Sequence, residues 1–204
     1  MNNIQFKIFF ISCLLLLCLC RSEYKVTNAE KTSSTITLSL AYTGADDYFK
    51  KPTSPILKEL TFTLHVLAFQ DFTFKITDPK NSRFEIPQEG SFPIDPLRNF
   101  SFPLNLSAIR FEYTEQPFDF KITRKINNAT LFSTYETNFI FSDKYIEIGT
   151  ELDSDYTWGL GERFTNNFRL KEGQWTIFNR DRGQVIDTGK GLQTYGYYPF
   201  YLQR

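Results

Sequence analysis

Ile36-Thr-Leu-Ser-Leu-Ala-Tyr42 and Leu60-Thr-Phe-Thr-Leu-His-Val66 place an apolar side chain at every second position. Successive side chains of an extended chain point to opposite faces, so each stretch reads as a strand with one buried and one wetted face. Phe72, Phe74 and Ile76 repeat the pattern against Thr73, Lys75 and Thr77, and Asp78-Pro79-Lys80-Asn81 then reads as a turn. The expectation is a hairpin whose returning strand is 83–86. Pro87, Gly90, Pro93, Pro96 and Pro103 break the stretch between them, which reads as a long connection because proline cannot donate to a ladder.

Alternation resumes beyond it. Ile109, Phe111 and Tyr113 predict one strand and Phe118, Phe120 and Ile122 another, with Asn127-Asn128 as a turn before Leu131 and Phe132. Further strands are expected at 139–141, 145–148, 156–160, 175–178 and 198–202. Many short strands, no long helical period and no internal repeat argue for an all-β, antiparallel fold, read here as a β-sandwich. At 204 residues with 22 Phe and 11 Tyr, the chain has the length and aromatic content for one sizeable core.

The amino terminus has a different character. Lys7 followed by the apolar run 8–20 reads as a signal peptide over residues 1–20, too short for the roughly 20 apolar residues of a membrane span. Cleavage after Cys20 or Ser22 would leave residues 21–204 as the mature domain, off the membrane. Cys13, Cys18 and Cys20 all lie in the leader, so that domain must be held by packing without disulfides. The sequons at Asn99-Phe-Ser101, Asn105-Leu-Ser107 and Asn128-Ala-Thr130 agree with a lumenal route, towards the medium or a lysosome-type or vacuolar lumen.

Charge and residue type narrow the chemistry. Basic and acidic residues balance at 23 each, so no net field favours a nucleic-acid backbone. The only histidine, His65, stands on the polar side of its strand pattern without a second His or a mature Cys to form a metal site. No nucleophile elbow or phosphate-cradling loop is present, so neither metal nor other cofactor is expected. Carboxylate chemistry survives, with Asp153, Asp155, Glu162, Asp181 and Asp187 as candidates, since glycoside hydrolysis needs two positioned carboxyl groups. Both tryptophans and the tract Tyr195, Tyr197, Tyr198, Phe200 and Tyr201 lie in the last fifty residues, where aromatic faces suit sugar rings.

Trp158-Gly-Leu-Gly-Glu162-Arg163, then Asn179-Arg180-Asp181, then Tyr195-Gly-Tyr-Tyr-Pro-Phe-Tyr-Leu202 resemble the ordered motifs of glycoside hydrolase family 31, which includes α-glucosidases. Upstream, Phe74-Lys-Ile-Thr-Asp78, Arg83-Phe-Glu-Ile-Pro87 and Pro117-Phe-Asp-Phe-Lys-Ile-Thr-Arg124 resemble earlier strands of the same family. The resemblance implies a galactose-mutarotase-like β-sandwich preceding a (β/α)8 barrel, with an α-glucoside or oligosaccharide as substrate. In that family both catalytic carboxylates lie on the barrel, the nucleophile in a Trp-x-Asp-Met-Asn-Glu stretch that has no match here, so no catalytic residue is assigned. The sandwich's final strands are expected beyond Arg204. The resemblance also implies that Asp181, on a loop leaning over the barrel mouth, contacts substrate hydroxyls, with Arg180 beside it, and that Glu162 is structural. The competing expectation is a stand-alone secreted carbohydrate-binding or interaction module.

Overall fold

The structure is a computed structural model that describes residues 22–44, 54–84, 100–165, 168–171, 173–178 and 192–204. The described chain is all β, without a helix, and every strand pair is antiparallel. It divides into two compact units, Met1–Glu151 and Leu152–Arg204.

In the first unit, β1 (Tyr24–Lys31), β2 (Thr35–Tyr42), β3 (Glu59–Val66) and β4 (Phe72–Thr77) form one sheet in that order. A second sheet orders β5 (Ile109–Glu115), β6 (Phe118–Arg124) and β7 (Thr130–Ser133), and β8 (Phe139–Phe141) pairs with β9 (Ile146–Ile148). The register follows the alternation: Leu38 faces Phe62 and Leu40 faces Leu60, while Thr37 meets Thr63 on the outer side. His65 lies on that outer side between Thr35 and Thr73, half-buried.

The two sheets meet through their aromatic faces, which makes this unit a β-sandwich. Phe62 of β3 has no exposed surface, and its ring lies 5.5 Å from Phe111, 5.7 Å from Phe118 and 4.8 Å from Phe120 across the interface. Phe74 of β4 reaches Phe120 at 5.3 Å and Phe132 of β7 at 5.0 Å. Aromatic pairs at these separations contribute about 0.5–1.5 kcal/mol each beyond the apolar area they bury. Strand β6 is buried on both faces, Phe118, Phe120 and Ile122 on one and Asp119 and Thr123 on the other. Asp119 is not stranded there, because Thr134 Oγ1 donates to its Oδ1 at 3.2 Å.

Two expectations are corrected, and one strand, β1, was not anticipated. The described partner of β4 is the preceding strand β3; of the expected returning strand 83–86, Arg83 and Phe84 form no strand, and residues 85–86 lie outside the described ones. Arg83 instead donates from Nη2 to the Ser142 carbonyl at 2.6 Å and covers the Phe141 ring at 4.9 Å, contacts no local pattern announces. Residues 175–178 are not a strand either, because Trp175 is turned toward Lys171, its indole N–H donating to that carbonyl at 2.9 Å. Strand β1 carries no alternation, because only Tyr24 is buried along an otherwise wetted edge. Of the broken connection, residues 100–103 are described and form no strand.

Phe62→Ala is expected to destabilise the first unit by about 3–5 kcal/mol, because the cavity opens against packed rings on both sheets. Equilibrium urea unfolding measures it, and a loss under about 1 kcal/mol would show the interface to be loosely packed. Tyr24 yields a pH prediction. Its hydroxyl donates to the Leu57 carbonyl at 2.7 Å and the Phe141 carbonyl at 3.3 Å. Burial first, then the neighbouring Tyr42 and Glu23, push its phenol well above the ordinary value near 10. The unfolded phenol therefore ionises first, so this stabilising contribution is complete below about pH 10 and is lost as pH rises above it. Tyr24→Phe should cost about 0.5–1.5 kcal/mol at pH 8 and flatten the fall in stability between pH 9 and 11. Denaturation curves that fall equally for both proteins would contradict this.

Candidate functional site

The second unit is built from very short pairings: β10 (Thr157–Gly159) with β13 (Tyr201–Gln203), and β11 (Arg163–Phe164) with β12 (Leu192–Gln193). Two motifs distant in sequence meet here. Trp158 pairs with Leu202 and Gly159 with Tyr201, after which the Leu160 amide donates to the Phe200 carbonyl at 2.8 Å. The Tyr198 amide donates to the Gly161 carbonyl at 2.7 Å, and the Glu162 amide to the Gly196 carbonyl at 3.1 Å. Trp158-Gly-Leu-Gly-Glu162 is thus laced to the Tyr/Phe-rich tract along its backbone.

The close approach dictates the glycine. At Gly159, φ is 126°, and a Cβ would lie 2.3 Å from the Phe200 carbonyl oxygen, which is immovable backbone. Leu160 follows at φ 50°, turning the chain toward Glu162.

Glu162 and Arg163 organise what comes next. The Glu162 carboxylate accepts the Gly196 N–H at 3.1 Å, and its carbonyl accepts the Thr194 N–H at 3.2 Å. Arg163 donates from Nε to the Leu160 carbonyl at 2.7 Å and from Nη2 to the Thr176 carbonyl at 2.6 Å, with its guanidinium 5.1 Å from the Trp175 ring. Partial burial pulls the Arg163 pKa down, but guanidinium basicity is high enough that it stays charged at neutral pH. A planar cation over an indole with two main-chain acceptors uses the fork geometry that lysine lacks. Arg169 makes a similar contact, 4.2 Å from the Tyr156 ring.

Arg180 and Asp181 lie outside the described residues, as do Asn99 and Asp187. On either side of residues 179–191, Arg163 holds the Thr176 carbonyl and Glu162 receives the Thr194 amide. Asp153 and Asp155 are exposed, and the Asp155 carbonyl accepts from Arg169 Nε at 3.2 Å. Among the described residues no group of three or more His, Cys, Asp or Glu side chains is arranged to hold a metal ion. Tyr195, Tyr197, Tyr198 and Phe200 are all exposed. The clamp made by Arg163 escaped the reading of the sequence, where an Arg twelve residues before a Trp carries no spacing signal.

Among the described residues the geometry presents the exposed aromatic side chains of Tyr195, Tyr197, Tyr198 and Phe200 beside the Trp158–Arg163 motif. The chain is 28% identical over 187 residues, or 90% of its length, to 20% of a lysosomal acid α-glucosidase of Tetrahymena pyriformis. It is 30% identical over 185 residues to a human intestinal sucrase-isomaltase, covering 89% of this chain and 10% of that one. A mouse lysosomal α-glucosidase matches at 30% over 185 residues, 88% of this chain and 17% of the relative. No protein-family model matches. The chain is homologous to these α-glucosidases and to sucrase-isomaltase across most of its length while spanning about a tenth to a fifth of theirs.

Gly159→Ala should break the β10–β13 pairing. The left-handed φ and the collision with Phe200 together cost at least about 1 kcal/mol. Hydrogen exchange should show faster loss of protection at the Leu160 and Tyr198 amides, with the Leu38 and Leu64 amides of the first unit unchanged. Unaltered exchange at Leu160 would mean that the strand tolerates a side chain there.

Proposed function

We propose that this chain is the amino-terminal β-domain of an α-glucosidase that travels the secretory pathway, a domain that helps to shape the substrate pocket while a catalytic barrel carries the bond-breaking groups. The observation that carries this reading is the alignment of nine-tenths of the chain with a small part of several α-glucosidases. The names of those relatives, lysosomal and intestinal, support a lumenal destination, as does the signal-like run after Lys7. A galactose-mutarotase-like sandwich is the form proposed for residues 21–204.

In this reading the substrate is an α-glucoside or oligosaccharide. A retaining glycosidase needs a nucleophile and an acid/base about 5–5.5 Å apart, both supplied by the barrel. The role of this chain is to bind. Asp181 accepts hydrogen bonds from sugar hydroxyls, Arg180 orients the loop, and the aromatic residues around Tyr195 and Tyr198 supply apolar faces. Arg163 and Glu162 hold Thr176 and Thr194, described residues that flank Arg180 and Asp181 in sequence, and tethering of that kind limits the entropy lost when sugar binds.

The test is Asp181→Ala in a full-length protein carrying the barrel. A charge-assisted contact of about 1.5–3 kcal/mol predicts that kcat/KM falls about ten- to 150-fold. The division between KM and kcat reports whether the contact tightens in the transition state. Asp187→Ala, assigned no ligand, should retain wild-type kinetics. Unchanged kcat/KM in a folded Asp181→Ala protein would remove Asp181 from the pocket.

A further inference from the structure

One end of the first unit gathers features that the glycosidase reading leaves unused. The loop 104–108 and the β6–β7 turn 125–129 are stitched together there. The Lys125 amide donates to the Ala108 carbonyl at 2.8 Å, and its ammonium donates to the carbonyls of Leu104 at 3.3 Å, Asn105 at 3.2 Å and Ser107 at 2.6 Å. The Leu104 amide reaches the Ser33 carbonyl at 2.8 Å and the Ala108 amide the Phe69 carbonyl at 2.6 Å, so the β1–β2 and β3–β4 turns join the same rim. Two sequon asparagines stand on it, Asn105 and Asn128, both exposed. Asn128 sits at φ 55°, a left-handed position that asparagine tolerates, and its amide oxygen accepts from Arg110 Nη1 at 3.4 Å.

The rim is also apolar. Ile126 is 88% exposed, Leu106 61%, Phe100 57% and Phe69 53%. Single exposed apolar residues are ordinary, but four on loops joined by these hydrogen bonds leave apolar surface that invites association unless something covers it. A carbohydrate attached beside Leu106 and Ile126 is a cover of suitable chemistry, bulky and strongly hydrated.

We propose that Asn105 and Asn128 carry N-linked oligosaccharides and that these sugars screen the apolar rim formed by Phe69, Phe100, Leu106 and Ile126. The inference rests on the secretory-pathway part of the reading above. The donor is a lipid-pyrophosphate-linked oligosaccharide. The asparagine Nδ2 forms a bond to the anomeric carbon, the bond from that carbon to the pyrophosphate oxygen breaks, the electron pair leaves with the lipid pyrophosphate, and the amide proton passes to solvent. In the folded chain the Ser107 hydroxyl is buried and donates to the Leu104 carbonyl at 2.8 Å. The acceptor hydroxyl is thereby withdrawn, and modification at Asn105 must precede folding.

The full chain is expressed through a eukaryotic secretory route with Asn99→Gln, so that only these two sites report. Site-specific mass spectrometry after enzymatic deglycosylation should find both asparagines converted, and Asn105→Gln and Asn128→Asp should each remove one step of mobility on a gel. Aspartate is chosen at 128 because it tolerates the left-handed backbone. Deglycosylating the folded protein should then convert a monomer into associating species by light scattering and raise binding of an apolar dye. Asparagines found bare in protein whose leader has been removed would overturn the inference while leaving the secretory reading in place. Retained Met1 with bare asparagines would overturn both. A deglycosylated chain that stays monomeric and binds no more dye would overturn the screening role.

Discussion

The contact between Phe62 and the rings facing it is the constraint on which the first unit depends. Phe62 is central in its sheet, between β2 and β4, and has no route to water. Its neighbours across the interface, Phe111, Phe118 and Phe120, come from two strands more than forty residues later in the chain. Until those strands arrive, β3 exposes an apolar face, and hydrophobic burial is the main term opposing the conformational entropy of ordering each residue. Tyr24, Tyr42 and Phe139 extend the aromatic layer toward one end, with ring separations of 5.4 and 5.3 Å from Tyr24.

The second unit is held by different forces. Among its residues whose burial is described, only Thr157 and Thr194 are buried, and no large apolar side chain is. Main-chain pairing, the Gly159 approach and the stacking of Arg163 on Trp175 and Arg169 on Tyr156 take the place of a core. Such contacts are directional, and each contributes little once competition with water is counted. Glu162 illustrates the difference: its carboxylate receives the Gly196 N–H, so a residue whose type invites an acid–base role is used to tie two motifs together.

The amino-acid sequence by itself determined the all-β class and which residues of β2, β3 and β6 face the core, because period-two alternation maps directly onto a sheet face, whereas the burial of Asp119 and Thr123 on the other face of β6 came only from the tertiary structure. It determined too that Trp158-Gly-Leu-Gly-Glu162-Arg163 and the aromatic tract before Leu202 matter, since both motifs can be read in order. Only the tertiary structure decided that β4 pairs with β3, since alternation marks which face of a strand is buried and not which neighbour it takes. The same holds for β1, an edge strand whose wetted side chains leave no apolar period to read. Arg163 is the clearest case. Its partners, the Leu160 and Thr176 carbonyls and the Trp175 ring, are chosen by where the backbone passes in space, and a main-chain acceptor looks the same at every residue, so no one-dimensional pattern can mark it.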